Sequence, residues 1–239
     1  MLLSVDGVHA AGPSEVEVPS VGAGAGRVGD RSSRVPAGWV RAEVIGVSVG
    51  NGTLATVHIL FVCTANICRS PMAAALFADR IPDHADSVEV SSAGLLEGGT
   101  AVPEEVLEVM APYGIDLRAH RSRRLTQPLL EGADLVLGMS RRHVQEAVLL
   151  DPPCWPQAFK LKELVRRGEA IGPRRPDQGL RSWIDDAHGH RTRSTLASYS
   201  DTDDVEDPYG GPIAGYRSVA DELAVLTGRL AGFLWPEDR

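Results

Sequence analysis

The stretch HILFVCTANICRSPMAAAL, residues 58–76, constrains the fold more than any other part of the chain. VHILFV, 57–62, is a nearly continuous apolar run, the pattern of a strand buried on both faces of a parallel sheet. A short loop of small and polar residues follows Cys63. SPMAAALFADRI, 70–81, then reads as a helix, with Ser70 as its N-cap and Pro71 at the first helical position. A buried strand that feeds a helix through a tight loop is the first half of a βαβ unit, so a layered α/β fold is expected.

The alternation continues downstream. SVEVSSAG (87–94) is a second strand, PEEVLEVMAPYG (103–114) a helix opened by Pro103 and closed by Gly114, and ADLVLGM (133–139) a third strand. RRHVQEAVLL (141–150) is a helix, QAFKL (157–161) a fourth strand, and KELVRRG (162–168) a helix. In AGYRSVADELAVLTGRLAGFLW (214–235), Val219, Leu223, Leu226, Leu230 and Phe233 recur at helical spacing. The expectation is a three-layer α/β domain over 57–239: a four-stranded parallel sheet, helices on both faces, and a phosphate-binding loop after the first strand.

Two regions fall outside that rhythm. Residues 1–56 are rich in Gly, Ser and Val with no sustained period, and read as a flexible extension or as sequence upstream of a mis-assigned start; only VRAEVIGVSV, 40–49, has strand character. Residues 166–206 are polar and rich in Gly, Pro, Arg and Asp, and read as an insertion of lid, binding-loop or disordered type, with one short helix at LRSWIDDAH, 180–188.

The net charge of −8 argues against a general nucleic-acid binder, and RSRR at 121–124 is too short to reverse that. Three cysteines leave one unpaired, which fits a reducing cytoplasm better than secretion, and neither a secretory leader nor a membrane span is read in the chain. A monomer or weak dimer without cofactor is expected.

The chemistry lies in the opening stretch. Ligands of an open parallel sheet sit beyond the carboxyl ends of its strands, where Cys63 falls. The N–H groups and positive dipole end of the next helix make that place an anion site and favour thiolate over thiol. Arg69 offers a planar fork to phosphate-like oxygens, and the backbone of Thr64, Ala65, Asn66, Ile67, Cys68, Arg69 and Ser70 can curl into one concavity. Asn66 tolerates a left-handed conformation, and the Ser70 hydroxyl can reach the sulfur. The Cys-x5-Arg spacing alone would arise by accident roughly 0.3 times in such a chain. Its place between a buried strand and a helix start is what gives it meaning. A nucleophile that takes a phosphoryl group also needs an acid and a base, and VEDPYGG, 205–211, supplies the Asp207 carboxylate on a turn.

VCTANICRSPMA and the late DPYGG resemble the two signatures of the low-molecular-weight protein tyrosine phosphatases, over about Val57 to Phe233. The resemblance implies Cys63 as nucleophile, Arg69 as phosphate clamp, Ser70 as thiolate stabiliser, Asn66 as loop organiser and Asp207 as general acid, then base. It also implies a reversible disulfide between Cys68 and Cys63, Tyr209 flanking the substrate ring, and phosphotyrosine proteins or small aryl phosphates as substrates. Two departures stand out: SAGLLEGGTAVP, 92–103, lacks the aromatic many members place on the other pocket wall, and Ala65 stands where glycine is commoner.

The residues leave three rival readings. A thioredoxin-coupled arsenate reductase on the same fold needs a relay thiol, and Cys154 is the one spare cysteine. A phosphopeptide reader without turnover requires neither Cys63 nor Asp207. A metal site from Asp185, Asp186, His188 and His190 reads more simply as a solvated loop, and His120 as a loop residue bonded to backbone.

Overall fold

The computed structural model describes residues 56–194 and 203–236. The expected extension, apart from Thr56, and the strand suggested at 40–49 lie outside the described residues, as do 195–202 of the polar segment.

Four parallel strands form one sheet: β1 (Val57–Cys63), β2 (Val88–Gly94), β3 (Leu135–Gly138) and β4 (Ala158–Lys160), in the order β2-β1-β3-β4. The helices are α1 (Arg69–Arg80), α2 (Glu104–Met110), α3 (Gln127–Glu131), α4 (Arg141–Leu150), α5 (Leu161–Ile171), α6 (Leu180–His188) and α7 (Ile213–Leu234). The alternation of side chains along β1 divides the core. Ile59, Phe61 and Cys63 join a cluster with α1, α2, α5, α6 and α7, whereas Leu60 and Val62 join another with Leu130 of α3 and Val144 and Ala147 of α4. Both faces of β1 are therefore covered, which is why its sequence is an unbroken apolar run.

Several boundaries differ from the sequence reading. α1 starts at Arg69 with Cys68, not Ser70, as its N-cap, so Pro71 is the third helical residue. Pro71 is tolerated there because N–H groups of the first turn have no intrahelical acceptor. The short α3, QPLLE, was not anticipated; five residues carry too little period to register. In α7 the buried stripe runs through Tyr216, Val219, Ala220, Leu223, Thr227, Leu230 and Leu234, while Leu226 and Phe233 are only partly buried.

The polar segment is more structured than expected. α5 extends to Ile171, and α6 buries Trp183, Ile184 and Ala187 in the main core. Trp183 stacks on Phe233 at 6.4 Å, and its Nε1–H donates to the Gly172 carbonyl at 2.9 Å. Beyond α6, the Arg191 guanidinium lies 4.0 Å from the ring centres of both Trp155 and Phe159, pairs with Glu163 at 2.9 Å and donates to the Ala158 carbonyl at 2.7 Å. A polar segment of this composition reads as a lid, a binding loop or disorder, but a guanidinium can be buried when aromatic faces and a carboxylate receive it.

Candidate active site

Cys63 pairs with Gly94 of β2, and Val62 with Gly138 of β3, so three strand ends align. The chain leaves β1 toward β2 on one side, and β3 occupies the other, which places Cys63 at the point where an open sheet forms its ligand crevice. The residue is 3 % exposed. Its Sγ accepts hydrogen bonds from the Asn66 backbone N–H at 3.2 Å and the Ser70 hydroxyl at 3.0 Å, a double acceptor role that suits a sulfur anion.

Asn66 holds the loop between them. It sits at φ 56°, in the left-handed region where asparagine is tolerated, and is fully buried. Its Nδ2 donates to the hydroxyls of Ser70 at 2.9 Å and Ser92 at 2.8 Å, and its Oδ1 accepts from the Arg123 backbone N–H at 2.9 Å. All the hydrogen-bonding capacity of the NH2 is used, so the amide cannot rotate without leaving buried groups unpaired. The Asn66 carbonyl meets His120 Nε2 at 2.8 Å. Behind the loop, a Cβ on Gly94 would lie 2.7 Å from Asn66 N and 2.8 Å from the Ala65 carbonyl carbon. Only glycine lets β2 approach this closely.

Arg69 is 6 % exposed and its guanidinium is held on several sides. Nη1 donates to the Val205 carbonyl at 3.2 Å, and Nη2 donates to Thr64 Oγ1 at 3.4 Å and to the Asp207 carboxylate. Its Nε–H is buried without a partner. A donor left unsatisfied in this way costs about 1–3 kcal/mol, and an anion in the loop would relieve it. The Asp207 side chain is half exposed, so its carboxylate faces both Arg69 and solvent.

The segment bearing Asp207 is fastened residue by residue. Asp203 pairs with Arg166 at 2.8 Å, Asp204 with Lys160 at 3.2 Å and with the Arg141 N–H at 3.0 Å, and the Val205 N–H donates to the Met139 carbonyl at 2.8 Å. Gly210, at φ 76°, donates its N–H to the Tyr216 hydroxyl at 3.2 Å. These bonds bring Asp207 from far along the chain to Arg69, at the end of the loop after β1.

The chain matches the family model described as low molecular weight phosphotyrosine protein phosphatase over residues 58–166. It is 35 % identical over 182 residues to the protein-arginine-phosphatase of Geobacillus stearothermophilus, covering 75 % of this chain and 97 % of that one. The chain belongs to the low-molecular-weight phosphotyrosine protein phosphatase family. Within that family it is also 32 % identical over 122 residues to the low molecular weight protein-tyrosine-phosphatase Etp of Escherichia coli K12, covering 50 % of this chain and 79 % of Etp. The low molecular weight protein tyrosine phosphatase from T. tengcongensis has a similar structure, with a TM-score of 0.57, 33 % identity, and coverage of 75 % of this chain and all of the other.

Against this family pattern, Cys68 caps α1 as a free, buried thiol, and its pKa is pushed up to about 12 by burial, then by Cys63 and Asp207, with Arg69 opposing. Tyr209 is 66 % exposed, one residue past Pro208, and its N–H donates to Asp207 Oδ1 at 3.4 Å. Ala65 and Ile67 are in the loop, Ile67 partly buried against the main core. Cys154 is buried in the α4-side cluster, across the sheet from Cys63. Asp185 pairs with Arg181, Asp186 accepts from Gln178, and His188 meets Arg191, so these groups serve the packing of α6. Among the described residues no cluster of three or more His, Cys, Asp or Glu could hold a metal ion. No described helix is long and apolar enough to cross a membrane.

Sequence reasoning missed Ser92, Arg123 and His143, and read His120 as a loop residue bonded to backbone without naming its partner, the Asn66 carbonyl in the loop after β1. None has a local signal. Each arrives through the strand order, not through spacing along the chain.

Proposed function

We propose that residues 57–239 form a phosphatase that hydrolyses phosphotyrosine in proteins, or other aryl phosphomonoesters, through a cysteinyl-phosphate intermediate. The observation that carries this reading is a double-acceptor sulfur that shares its loop with a buried guanidinium, which keeps one unsatisfied N–H and touches the carboxylate of the DPYGG turn. In the first step Cys63 Sγ attacks phosphorus, the P–O bond to the leaving group breaks, and Asp207 passes its proton to the departing oxygen. Arg69 and the loop N–H groups hold the equatorial oxygens. In the second step Asp207 takes a proton from water, which displaces sulfur from phosphorus and returns the thiolate. No cofactor enters either step. The free thiols suit a reducing cytoplasm, and a monomer or weak dimer acting on phosphoproteins fits a site built from one chain.

A second reading concerns the leaving group. The Geobacillus relative, matched over nearly its full length, is named a protein-arginine-phosphatase, and the segment SAGLLEGGTAVP, 92–103, carries no aromatic residue. Phosphoarginine would use the same displacement, with Asp207 protonating a guanidine nitrogen. The arsenate reductase reading loses support because Cys154 lies on the opposite face of the sheet.

Mass spectrometry of an acid-quenched Asp207→Ala reaction, run in parallel with phenyl phosphate and a phosphoarginine peptide, tests this reading. Phosphate on Cys63 is expected, and the faster-labelling substrate names the leaving group. Phosphate release without labelling of Cys63 would overturn the mechanism.

A further inference from the structure

His143, on the first turn of α4, is 2 % exposed and lies outside the signatures that define the catalytic loop. Its ring stands between two hydroxyls: Nε2 meets Thr64 Oγ1 at 3.0 Å and Nδ1 meets Ser140 Oγ at 2.9 Å. Thr64 directly follows the nucleophile, and its hydroxyl accepts from Arg69 Nη2, the nitrogen that also holds Asp207. A continuous chain therefore runs from Ser140, after β3, through His143 and Thr64 to the phosphate clamp. Either tautomer satisfies both ring nitrogens, because a hydroxyl can donate or accept.

We infer that His143 is a positioning residue for phosphate capture, acting through Thr64 to fix the guanidinium of Arg69. This rests on the phosphatase reading above. An arginine side chain has several rotatable bonds, and its bidentate grip depends on the plane of the guanidinium. Val205 holds Nη1 from one side, so a second fixed point is needed to set that plane, and Thr64 supplies it. A threonine hydroxyl is itself free to rotate. His143 removes that freedom, and its own ring is held by Ser140 and by close packing against Gly138, where a Cβ would come within 3.1 Å of His143 Cβ. The neutral ring also suits the place, since an imidazolium would repel the guanidinium it positions; burial, followed by Arg69 and Arg142, pushes the His143 pKa down to about 3.

Two amides separate the two ends of the ring. Glutamine places its terminal nitrogen near the position of Nε2 and retains a partner for Thr64. Asparagine places its amide near Nδ1 and retains only Ser140. The measurements are kcat and KM on p-nitrophenyl phosphate, the inhibition constant of inorganic phosphate, and the melting temperature, for the parent, His143→Asn, His143→Gln and Thr64→Val. His143→Asn and Thr64→Val are expected to lower kcat/KM and weaken phosphate inhibition by about 10- to 100-fold, the cost typical of a misplaced positioning group. His143→Gln is expected to recover most of that loss, and the double variant of Thr64→Val with His143→Asn to be no worse than either single change.

A merely structural histidine would instead lower the melting temperature alike for both amides and leave phosphate inhibition of the folded fraction untouched. That result overturns the inference while the phosphatase reading stands. A parent that neither turns over p-nitrophenyl phosphate nor is bound by phosphate overturns both.

Discussion

The Asp207 carboxylate is ion-paired with Arg69 Nη2, beside the unpaired Nε–H of the same guanidinium. On the proposed mechanism an entering phosphate takes donors from that guanidinium, so Asp207 and substrate would compete for one cation, and binding would release Asp207 to face the leaving group. Asp207→Ala should lower kcat on phenyl phosphate by about 10²- to 10⁴-fold, the range for loss of a general acid. The same variant should bind inorganic phosphate more tightly than the parent, because the competing carboxylate is gone. Steady-state kinetics with phosphate as inhibitor reads both numbers; weaker phosphate binding would show that the pair helps rather than hinders capture.

Gly94→Ala tests the close approach of β2 to the loop. The new methyl would meet backbone atoms of Thr64, Ala65 and Asn66, none of which can swing aside. A loss of about 1–3 kcal/mol in stability is expected from overpacking, with a larger proportional loss in kcat/KM because the loop itself moves. Urea denaturation and kinetics on the same preparation separate the two. Unchanged activity would mean that the loop tolerates displacement.

The buried His143 sets a pH dependence with a definite sign. Its pKa falls from 6.5 to about 3 on folding, so below pH 6.5 the unfolded chain takes up a proton that the folded protein refuses until about pH 3. Stability from this group is whole above pH 6.5 and declines as pH falls toward 3, by at most about 1.4 kcal/mol per pH unit. His120, also pushed down by burial first, acts in the same direction. Between pH 7.5 and 5.5, the parent should lose about 1 kcal/mol more than His143→Gln in urea titrations. Parallel losses would place the proton uptake elsewhere.

Arg191 decides whether the polar segment belongs to the fold. Its guanidinium has a 1 % exposed side chain between Trp155 and Phe159, with Glu163 beneath it. Arg191→Ala leaves Glu163 its pair with Arg167 but removes the guanidinium from between the two rings, and should cost about 1–3 kcal/mol, the common range for losing one buried interaction. Arg191→Lys should restore little, because an ammonium cannot stack flat on two rings. Calorimetric melting is the measurement, and a full rescue by lysine would refute the stacking argument.

Cys154→Ala should leave turnover of p-nitrophenyl phosphate unchanged, since the thiol is buried across the sheet from Cys63 and burial pushes its pKa up to about 12. Loss of a thioredoxin-dependent arsenate reduction in this variant would instead reinstate the relay reading.

The strands, the helices α1, α2, α4, α5 and α7, and the loop from Cys63 to Ser70 were legible because each rests on local pattern. An apolar run marks a doubly covered strand, and a small-residue loop before Ser-Pro marks a helix entry. The Ser70 cap was misread because its hydroxyl is drawn to the Cys63 sulfur rather than to its own helix. The 166–206 segment was read as too open because Trp183 and Ile184 find their core only in three dimensions, and because composition alone does not reveal an arginine buried between aromatic rings.

By itself, the chain of residues determined the layered architecture and the loop from Cys63 to Ser70 at the carboxyl end of β1, since both depend on spacings of a few positions. Tertiary structure alone decided what surrounds them: Ser92 and Arg123 against Asn66, His143 against Thr64, and the Asp207 carboxylate on Arg69. The physical reason is that strand order, not sequence distance, sets which loops share the carboxyl edge of the sheet. Residues more than a hundred positions apart become hydrogen-bond partners there without leaving any periodic trace between them.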